Sequence, residues 1–269
     1  GAVDIGMVVS DMDGTLLLDD GTVPDGFWPL LDEMVGRGIA FVPASGRQLA
    51  TLRRLFDGRG AERSLSFIAE NGTLVTHGDE VVSTTTVSDE FARTVVDAVR
   101  AAREDGADLG VVVCRTDGAV IERVDAPFAA ECAKYYVELE QVADLLEHCR
   151  DVLKLAIFDF GEAAVSAQRY FSGLDQQVVV SGKHWIDIMD RDANKGHGVR
   201  ALQEALGVTA ARTVAFGDYL NDVEMLGAAD HSYAVANAHP DVAAVAARRI
   251  PSNAEEGVVL ELERLLRSR

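Results

Sequence analysis

The residues with the clearest chemical potential are two aspartates, Asp11 and Asp13, which end a short apolar run and precede Gly14-Thr15. A Val-rich run closed by a glycine turn predicts a buried parallel strand that enters a loop, and open α/β sheets bind ligands at such strand ends. On an extended stretch the two carboxylates share a face, where they repel each other unless a cation lies between them or one is protonated. Oxygen ligands favour a hard ion such as Mg²⁺. The pattern predicts metal-assisted chemistry on an anionic substrate.

Three further segments place polar residues after an apolar run or before a helical pattern. The four segments, in chain order, are Asp11-Met12-Asp13-Gly14-Thr15, Ala44-Ser45-Gly46-Arg47, Asn194-Lys195-Gly196 and Gly217-Asp218-Tyr219-Leu220-Asn221-Asp222. Their residue types and order resemble the four motifs of the haloacid dehalogenase-like (HAD) phosphatase superfamily. The resemblance covers essentially the whole chain, and it implies a phosphoric monoester hydrolase that uses Mg²⁺.

The resemblance also implies a role for each motif residue. Asp11 is the expected nucleophile, which forms an aspartyl-phosphate, and Asp13 is the expected general acid and base. Lys195 is expected to neutralise charge on the transferring phosphoryl group. The expected metal ligands are Asp11, the backbone carbonyl of Asp13, and Asp218, with Asp222 orienting a metal-bound water; the expected substrate-binding residues are Ser45, Gly46, Lys195 and Asn221.

Each motif residue taken alone also has an ordinary structural interpretation. Asp13-Gly14 fits a turn, Lys195 fits a solvated helix start, and Asn221-Asp222 fits a helix cap. The ordered combination favours the functional interpretation for the motif residues. For Asn71 and Arg47 a site role and a simpler role, in a turn or as a solvated arginine, stay equally open.

The pattern of elements predicts two domains, one inserted into the other. Residues 1–83 and 184–269 alternate strands and helices, which predicts a Rossmann-like α/β core with a parallel sheet. Residues 84–183 mix strands and helices in a different order, which predicts a separate α+β unit. In this division the strand Trp185–Met189 belongs to the core. An insertion at this point resembles the type-IIB cap of Cof-like HAD phosphatases, which implies substrate selection and exclusion of water.

Composition excludes several other classes of protein. The chain has 269 residues, 48% of them hydrophobic, which is enough for a real core. A formal charge of −19 disfavours nucleic acid as a partner. No apolar run approaches a membrane span of ~20 residues, and no secretory pattern is visible. Three cysteines without zinc-type spacing favour reduced thiols. We expect a cytoplasmic monomer or weak homo-oligomer with no membrane partner.

Several functional alternatives remain at this stage. The expected substrate is a small phosphorylated metabolite, above all a sugar phosphate, but the motifs do not name the leaving group. A phosphomutase of the same superfamily would carry the same motifs and return the phosphoryl group to its substrate. A catalytically silent sugar-phosphate binder is a non-enzyme alternative. A receiver-like signalling module is disfavoured, because the expected nucleophile lies in the first strand and a second domain is inserted.

Overall fold

The computed structural model describes residues 3–59 and 65–268. Its strands are β1 (Met7–Asp11), β2 (Ala40–Ala44), β3 (Ser66–Ala69), β4 (Leu74–His77), β5 (Glu80–Thr84), β6 (Leu109–Arg115), β7 (Gly118–Ile121), β8 (Leu139–Gln141), β9 (Val152–Asp159), β10 (Gln177–Val180), β11 (Trp185–Met189), β12 (Thr213–Gly217), β13 (His231–Val235) and β14 (Arg248–Ile250). Its α-helices are α1 (Phe27–Gly36), α2 (Leu49–Arg54), α3 (Asp89–Glu104), α4 (Ala126–Ala133), α5 (Ala163–Ser166), α6 (Lys195–Leu206), α7 (Val223–Gly227), α8 (Pro240–Val245) and α9 (Gly257–Arg267).

The chain divides into two compact units. One contains the chain up to Ser83 together with the chain from Asn194 onward, and the other is Thr84–Ala193. Each unit has its own sheet, eight-stranded in the first and six-stranded in the second.

The sheet of the first unit has the strand order β14-β13-β12-β1-β2-β3-β4-β5. Neighbouring strands from β14 to β3 run parallel, and β4 is antiparallel to β3. Every residue of β1 is buried, as expected for a central parallel strand covered on both faces. Met7 and Val9 pack in one cluster with residues of α6 and α7, while an aromatic row on the other side joins Phe27, Phe41 and Phe56. This packing fixes the position of the strand that carries Asp11.

The sheet of the second unit has the order β10-β11-β9-β6-β7-β8, and its neighbouring strands pair antiparallel except β7 with β8. Alternate residues of β6 enter two different clusters, because successive side chains of a strand point to opposite faces. Val111 and Val113 pack with α3, and Val112 and Cys114 pack with Phe128 of α4. The unit therefore has a core on each side of its sheet.

The assignment of Trp185–Met189 to the core domain is wrong. This strand, β11, pairs antiparallel with β9 and with β10, so it belongs to the sheet of the second unit. A side-chain period of two residues identifies a strand but does not say which sheet receives it. The polar Asp187 within the run was the available signal, because alternation is more typical of antiparallel strands than of central parallel ones.

Within the described ranges, no helix is both long and apolar enough to cross a membrane. Cys114, Cys132 and Cys149 are buried free thiols. The expected cytoplasmic location and oligomeric state remain predictions.

Candidate active site

The parallel strands of the first unit bring the motif residues to one edge of its sheet. Asp11 ends β1, Ser45 follows β2 on one side, and Asp218 follows β12 on the other. Because β1 pairs in parallel with both neighbours, the carboxyl ends of the three strands lie side by side. Residues far apart in the sequence therefore meet at the end of the central strand.

A buried lysine joins two of the aspartates. Lys195 Nζ lies 3.0 Å from Asp11 Oδ1 and 2.7 Å from Asp222 Oδ1, and the lysine side chain is only 1% exposed. Lys195 is the first residue of α6, whose N-cap Asn194 accepts a hydrogen bond from the His197 amide. The interpretation of Lys195 as a solvated helix-start residue is therefore wrong. Burial acts to lower the pKa of Lys195, but the two carboxylates raise it above its usual range, so the ammonium is retained.

Asp222 is fully buried and has bonds to both of its oxygens. Oδ1 accepts from Lys195, and Oδ2 accepts from the backbone amides of Asp218 (2.9 Å) and Tyr219 (3.2 Å). Asp222 therefore orients Lys195 and fixes the loop that carries Asp218. Asn221 donates to Asn71 Oδ1 at 3.3 Å, and its expected role in substrate binding remains a prediction.

Asp11, Asp218 and Asp222 form a carboxylate cluster. Each offers an oxygen, and these oxygens all lie within 4.8 Å of one another. Burial, partly opposed by Lys195, raises the pKa of Asp11 to about 7. Burial also raises the pKa of Asp222 to about 6 and that of Asp218 above its usual range. Crowded carboxylates in an all-oxygen set take up either protons or a hard divalent cation, so this donor set fits Mg²⁺.

The loop after β1 supports Asp218. Thr15 Oγ1 donates to Asp218 Oδ1 at 2.9 Å, and Asn237 Nδ2 donates to the Gly14 carbonyl at 2.9 Å. Gly14 has φ +76°, and a Cβ there would collide with Asp218 Oδ2, so only glycine fits. Sequence reasoning missed both Thr15 and Asn237. The position of Asn237 just after β13, like that of Asp218 just after β12, was the signal that could have found it.

The side chain of Asp13 does not join the carboxylate cluster. The chain leaves the extended conformation after Asp11 and forms a tight turn over Met12–Leu16. Asp13 is therefore 58% exposed, and its two oxygens accept from Arg47 Nε (2.9 Å) and Nη2 (2.6 Å). The expectation that the side chains of Asp11 and Asp13 share a face is wrong, because Asp11 contacts Lys195 and Asp13 contacts Arg47. Of the two roles left open for Arg47, the structure favours the contact at the candidate site, because its guanidinium donates to Asp13.

Ser45 and Gly46 lie at the end of β2. Ser45 is buried, its amide donates to the Ile68 carbonyl at 2.9 Å, and its Oγ accepts from the Arg47 amide at 3.0 Å. A Cβ on Gly46 would lie 3.2 Å from Asn71 Oδ1, so the backbone and the Asn71 amide approach closely. Asn71 has φ +57° and follows β3, which places it at the same sheet edge.

Comparison with known proteins identifies relatives over nearly the full length. The family model of haloacid dehalogenase-like hydrolases matches residues 8–262. The 5-amino-6-(5-phospho-D-ribitylamino)uracil phosphatase YbjI of Escherichia coli K12 is 32% identical over 274 residues, which is 98% of this chain and 97% of the relative.

Solved structures agree on the fold. A protein of Streptococcus mutans UA159 aligns with a TM-score of 0.85 at 26% identity, over 98% of this chain and 100% of the other. The HAD subclass IIB sugar phosphatase BT4131 aligns with a TM-score of 0.79 at 18% identity, over 96% and 98% of the two chains. The predicted fold class is confirmed.

The raised pKa of Asp11 predicts a specific pH dependence of stability. A carboxyl whose pKa rises from 3.8 to about 7 on folding holds a proton in the folded state that the unfolded chain has released. In excess chelator, the free energy of unfolding should therefore fall with rising pH, relative to Asp11→Asn, by about 1 kcal/mol per pH unit between pH 4 and 7. Urea unfolding of the wild type and of Asp11→Asn at a series of pH values measures this difference in the free energy of unfolding. The exposed Asp32→Asn is the matched control, and parallel curves for the wild type and Asp11→Asn would contradict the assignment.

Proposed function

The chain belongs to the haloacid dehalogenase-like hydrolase family and is a phosphatase, and from this premise we propose that it hydrolyses a sugar phosphate, with Mg²⁺, through an aspartyl-phosphate on Asp11. The observation that carries the proposal is the Asp11 carboxylate at the end of the central strand, bound by Lys195 within a cluster of oxygen ligands. A nucleophile, a cation and a metal-binding donor set are the parts that phosphoryl transfer needs.

Asp11 is proposed as the nucleophile because its carboxylate is held in a fixed orientation. Oδ1 accepts from both Lys195 Nζ (3.0 Å) and the Met12 amide (2.8 Å). A positioned carboxylate attacks phosphorus with little loss of freedom on reaching the transition state. The same Lys195 would stabilise the charge spread over the phosphoryl oxygens, with Ser45 Oγ and the Gly46 amide as further donors.

The Mg²⁺ ligands are proposed to be Asp11, Asp218 and the Asp13 backbone carbonyl. Asp222 is proposed to act beside them, since Lys195 and two amides already occupy both of its oxygens. When bound, Mg²⁺ would withdraw negative charge from the transferring phosphoryl group and would allow that group to approach the carboxylates.

Asp13 is proposed as the general acid and base. First, its proton passes to the leaving oxygen as the bond between that oxygen and phosphorus breaks. Then its carboxylate takes a proton from the water that attacks the aspartyl-phosphate, which frees Asp11 and phosphate. Its 58% exposure is consistent with contact to a leaving group and to water that enter from solvent.

The leaving group is proposed to be a sugar or polyol. The E. coli relative, at 32% identity, is named for a phosphorylated ribityl compound. We further propose that Thr84–Ala193 is a cap that selects the leaving group, since none of the proposed reacting residues lies within it. Its contribution would be remote binding energy and exclusion of water.

Hydrolysis should require both the metal and Asp11. We expect phosphate release from p-nitrophenyl phosphate to stop in excess chelator and to return with added Mg²⁺. Asp11→Asn should lower kcat by at least ~10³-fold, because no other group can form the covalent intermediate. Asp32→Asn, an exposed change on α1, should keep wild-type activity. Full activity in chelator or in Asp11→Asn would refute the metal or the nucleophile assignment.

Asp13→Asn should separate substrates by leaving group. Alkyl phosphates need a proton on the leaving oxygen, whereas p-nitrophenolate leaves without one. The rate of aspartyl-phosphate formation should therefore fall about 10²-fold or more for a sugar phosphate and only a few-fold for p-nitrophenyl phosphate. Single-turnover measurements with the two substrates give the rate of aspartyl-phosphate formation for each. An equal fall in this rate for both substrates would argue against Asp13 as the general acid.

Removal of the second unit should reduce selectivity before it abolishes chemistry. With Thr84–Ala193 replaced by a short Gly/Ser linker, we expect weak Mg²⁺-dependent hydrolysis of p-nitrophenyl phosphate. The ratio of kcat/KM between the best and a poor sugar phosphate should shrink towards unity. A cooperative melt must first show that the shortened protein is folded. A folded variant with full selectivity would place specificity in the first unit.

A further inference from the structure

A two-point ion pair links Asp13 to Arg47 at the edge of the candidate site. Nε and Nη2 of Arg47 donate to different oxygens of Asp13, at 2.9 Å and 2.6 Å, in the fork geometry that guanidinium and carboxylate groups share. The arginine side chain is 23% exposed, against 58% for the aspartate. Arg47 is therefore the more buried partner of the pair.

The backbone of Arg47 is tied down on both sides. Its amide donates to Ser45 Oγ at 3.0 Å, and its carbonyl accepts from the Glu70 amide at 3.0 Å. Arg47 is thus fixed to the ends of β2 and β3, while Asp13 lies in a turn after β1. The ion pair connects these two segments through side chains alone.

The two contacts with Arg47 fix the orientation of the Asp13 carboxyl group. Its oxygens accept from two different nitrogens of one planar guanidinium. Each carboxylate oxygen keeps a second lone pair, which remains available to water. Arg47 therefore sets the direction from which water can approach Asp13.

We infer that Arg47 is a positioning residue that holds Asp13 as the general base for hydrolysis of the aspartyl-phosphate. The inference rests on the proposed function, and it assigns Arg47 to the second half-reaction. There the Asp13 carboxylate takes a proton from water as the water oxygen bonds to phosphorus and the bond from phosphorus to the Asp11 oxygen breaks.

The test is the kinetics of Arg47→Gln with p-nitrophenyl phosphate and Mg²⁺. Formation of the intermediate from this substrate needs no acid, so kcat/KM, which reports that step, should stay within about threefold of wild type. Turnover should become limited by hydrolysis, so kcat should fall about 10- to 100-fold with a parallel fall in KM. A rapid burst of p-nitrophenolate should precede the slow phase. The exposed Arg54→Gln should match wild type in all three quantities.

A double-mutant cycle with Asp13→Asn distinguishes action through Asp13 from direct contact with substrate. If Arg47 acts through Asp13, then adding Arg47→Gln to Asp13→Asn should change kcat by less than about threefold. Arg47→Lys, which keeps the charge but cannot form the fork, should fall between wild type and Arg47→Gln. Thermal unfolding of every variant checks that the fold is retained.

Three results would overturn the inference. A fall in kcat/KM as large as that in kcat, without a burst, would make Arg47 a phosphoryl-binding residue. Additive losses in the double-mutant cycle would exclude action through Asp13, and full recovery in Arg47→Lys would show that charge alone matters. Failure of the proposed function appears separately, as a wild type without Mg²⁺-dependent phosphate release or as an active Asp11→Asn, and the role of Arg47 would fall with it.

Discussion

The buried ion network around Lys195 is the constraint on which the site depends. Three charged groups away from water are costly unless each is paired and hydrogen-bonded, and removal of one partner leaves a buried charge uncompensated. Lys195 lies between Asp11 and Asp222, and Asp222 is bonded in turn to the amides of Asp218 and Tyr219. One network therefore joins the end of β1, the start of α6 and the loop after β12. A displacement of any of these three segments breaks a bond that water cannot easily replace.

Close backbone approaches bring those segments within reach of one another. Gly72 has φ +94°, and a Cβ there would overlap the carbonyl of Asn194, so the turn after β3 packs directly against the N-terminus of α6. A Cβ added to Gly217 would lie only 2.7 Å from Asp222 Cβ. A larger residue at either position would push α6 or the Asp218 loop outward. Lys195 and Asp222 would then lose the short separation on which their ion pair depends.

The resemblance to four motifs grouped the candidate site residues, and strand direction explains why the structure brings them together. Once β1, β2 and β12 are inferred to be parallel, Asp11, Ser45 and Asp218 must meet at one sheet edge, whatever their separation in the chain. The pairing of Asp13 with Arg47 was not predictable in this way. It depends on the turn over Met12–Leu16, and a spacing of two residues suggests an extended stretch instead. The sheet that receives β11 was missed for a similar reason, since alternation identifies a strand but not its neighbours.

The charge balance of the site limits how it can bind a phosphate. Four carboxylates, those of Asp11, Asp13, Asp218 and Asp222, face two cationic side chains, Lys195 and Arg47, a formal surplus of two negative charges. The remaining charges of this acidic chain act weakly, because exposed charges beyond ~8 Å are screened at physiological ionic strength. A phosphomonoester dianion therefore meets net repulsion unless protons or a divalent cation offset the surplus. The raised pKa of Asp11 is consistent with the first route, but a proton on Asp11 would block attack by this proposed nucleophile. A divalent cation would remove the repulsion and leave Asp11 ionised, which supports the proposal of a metal-dependent reaction.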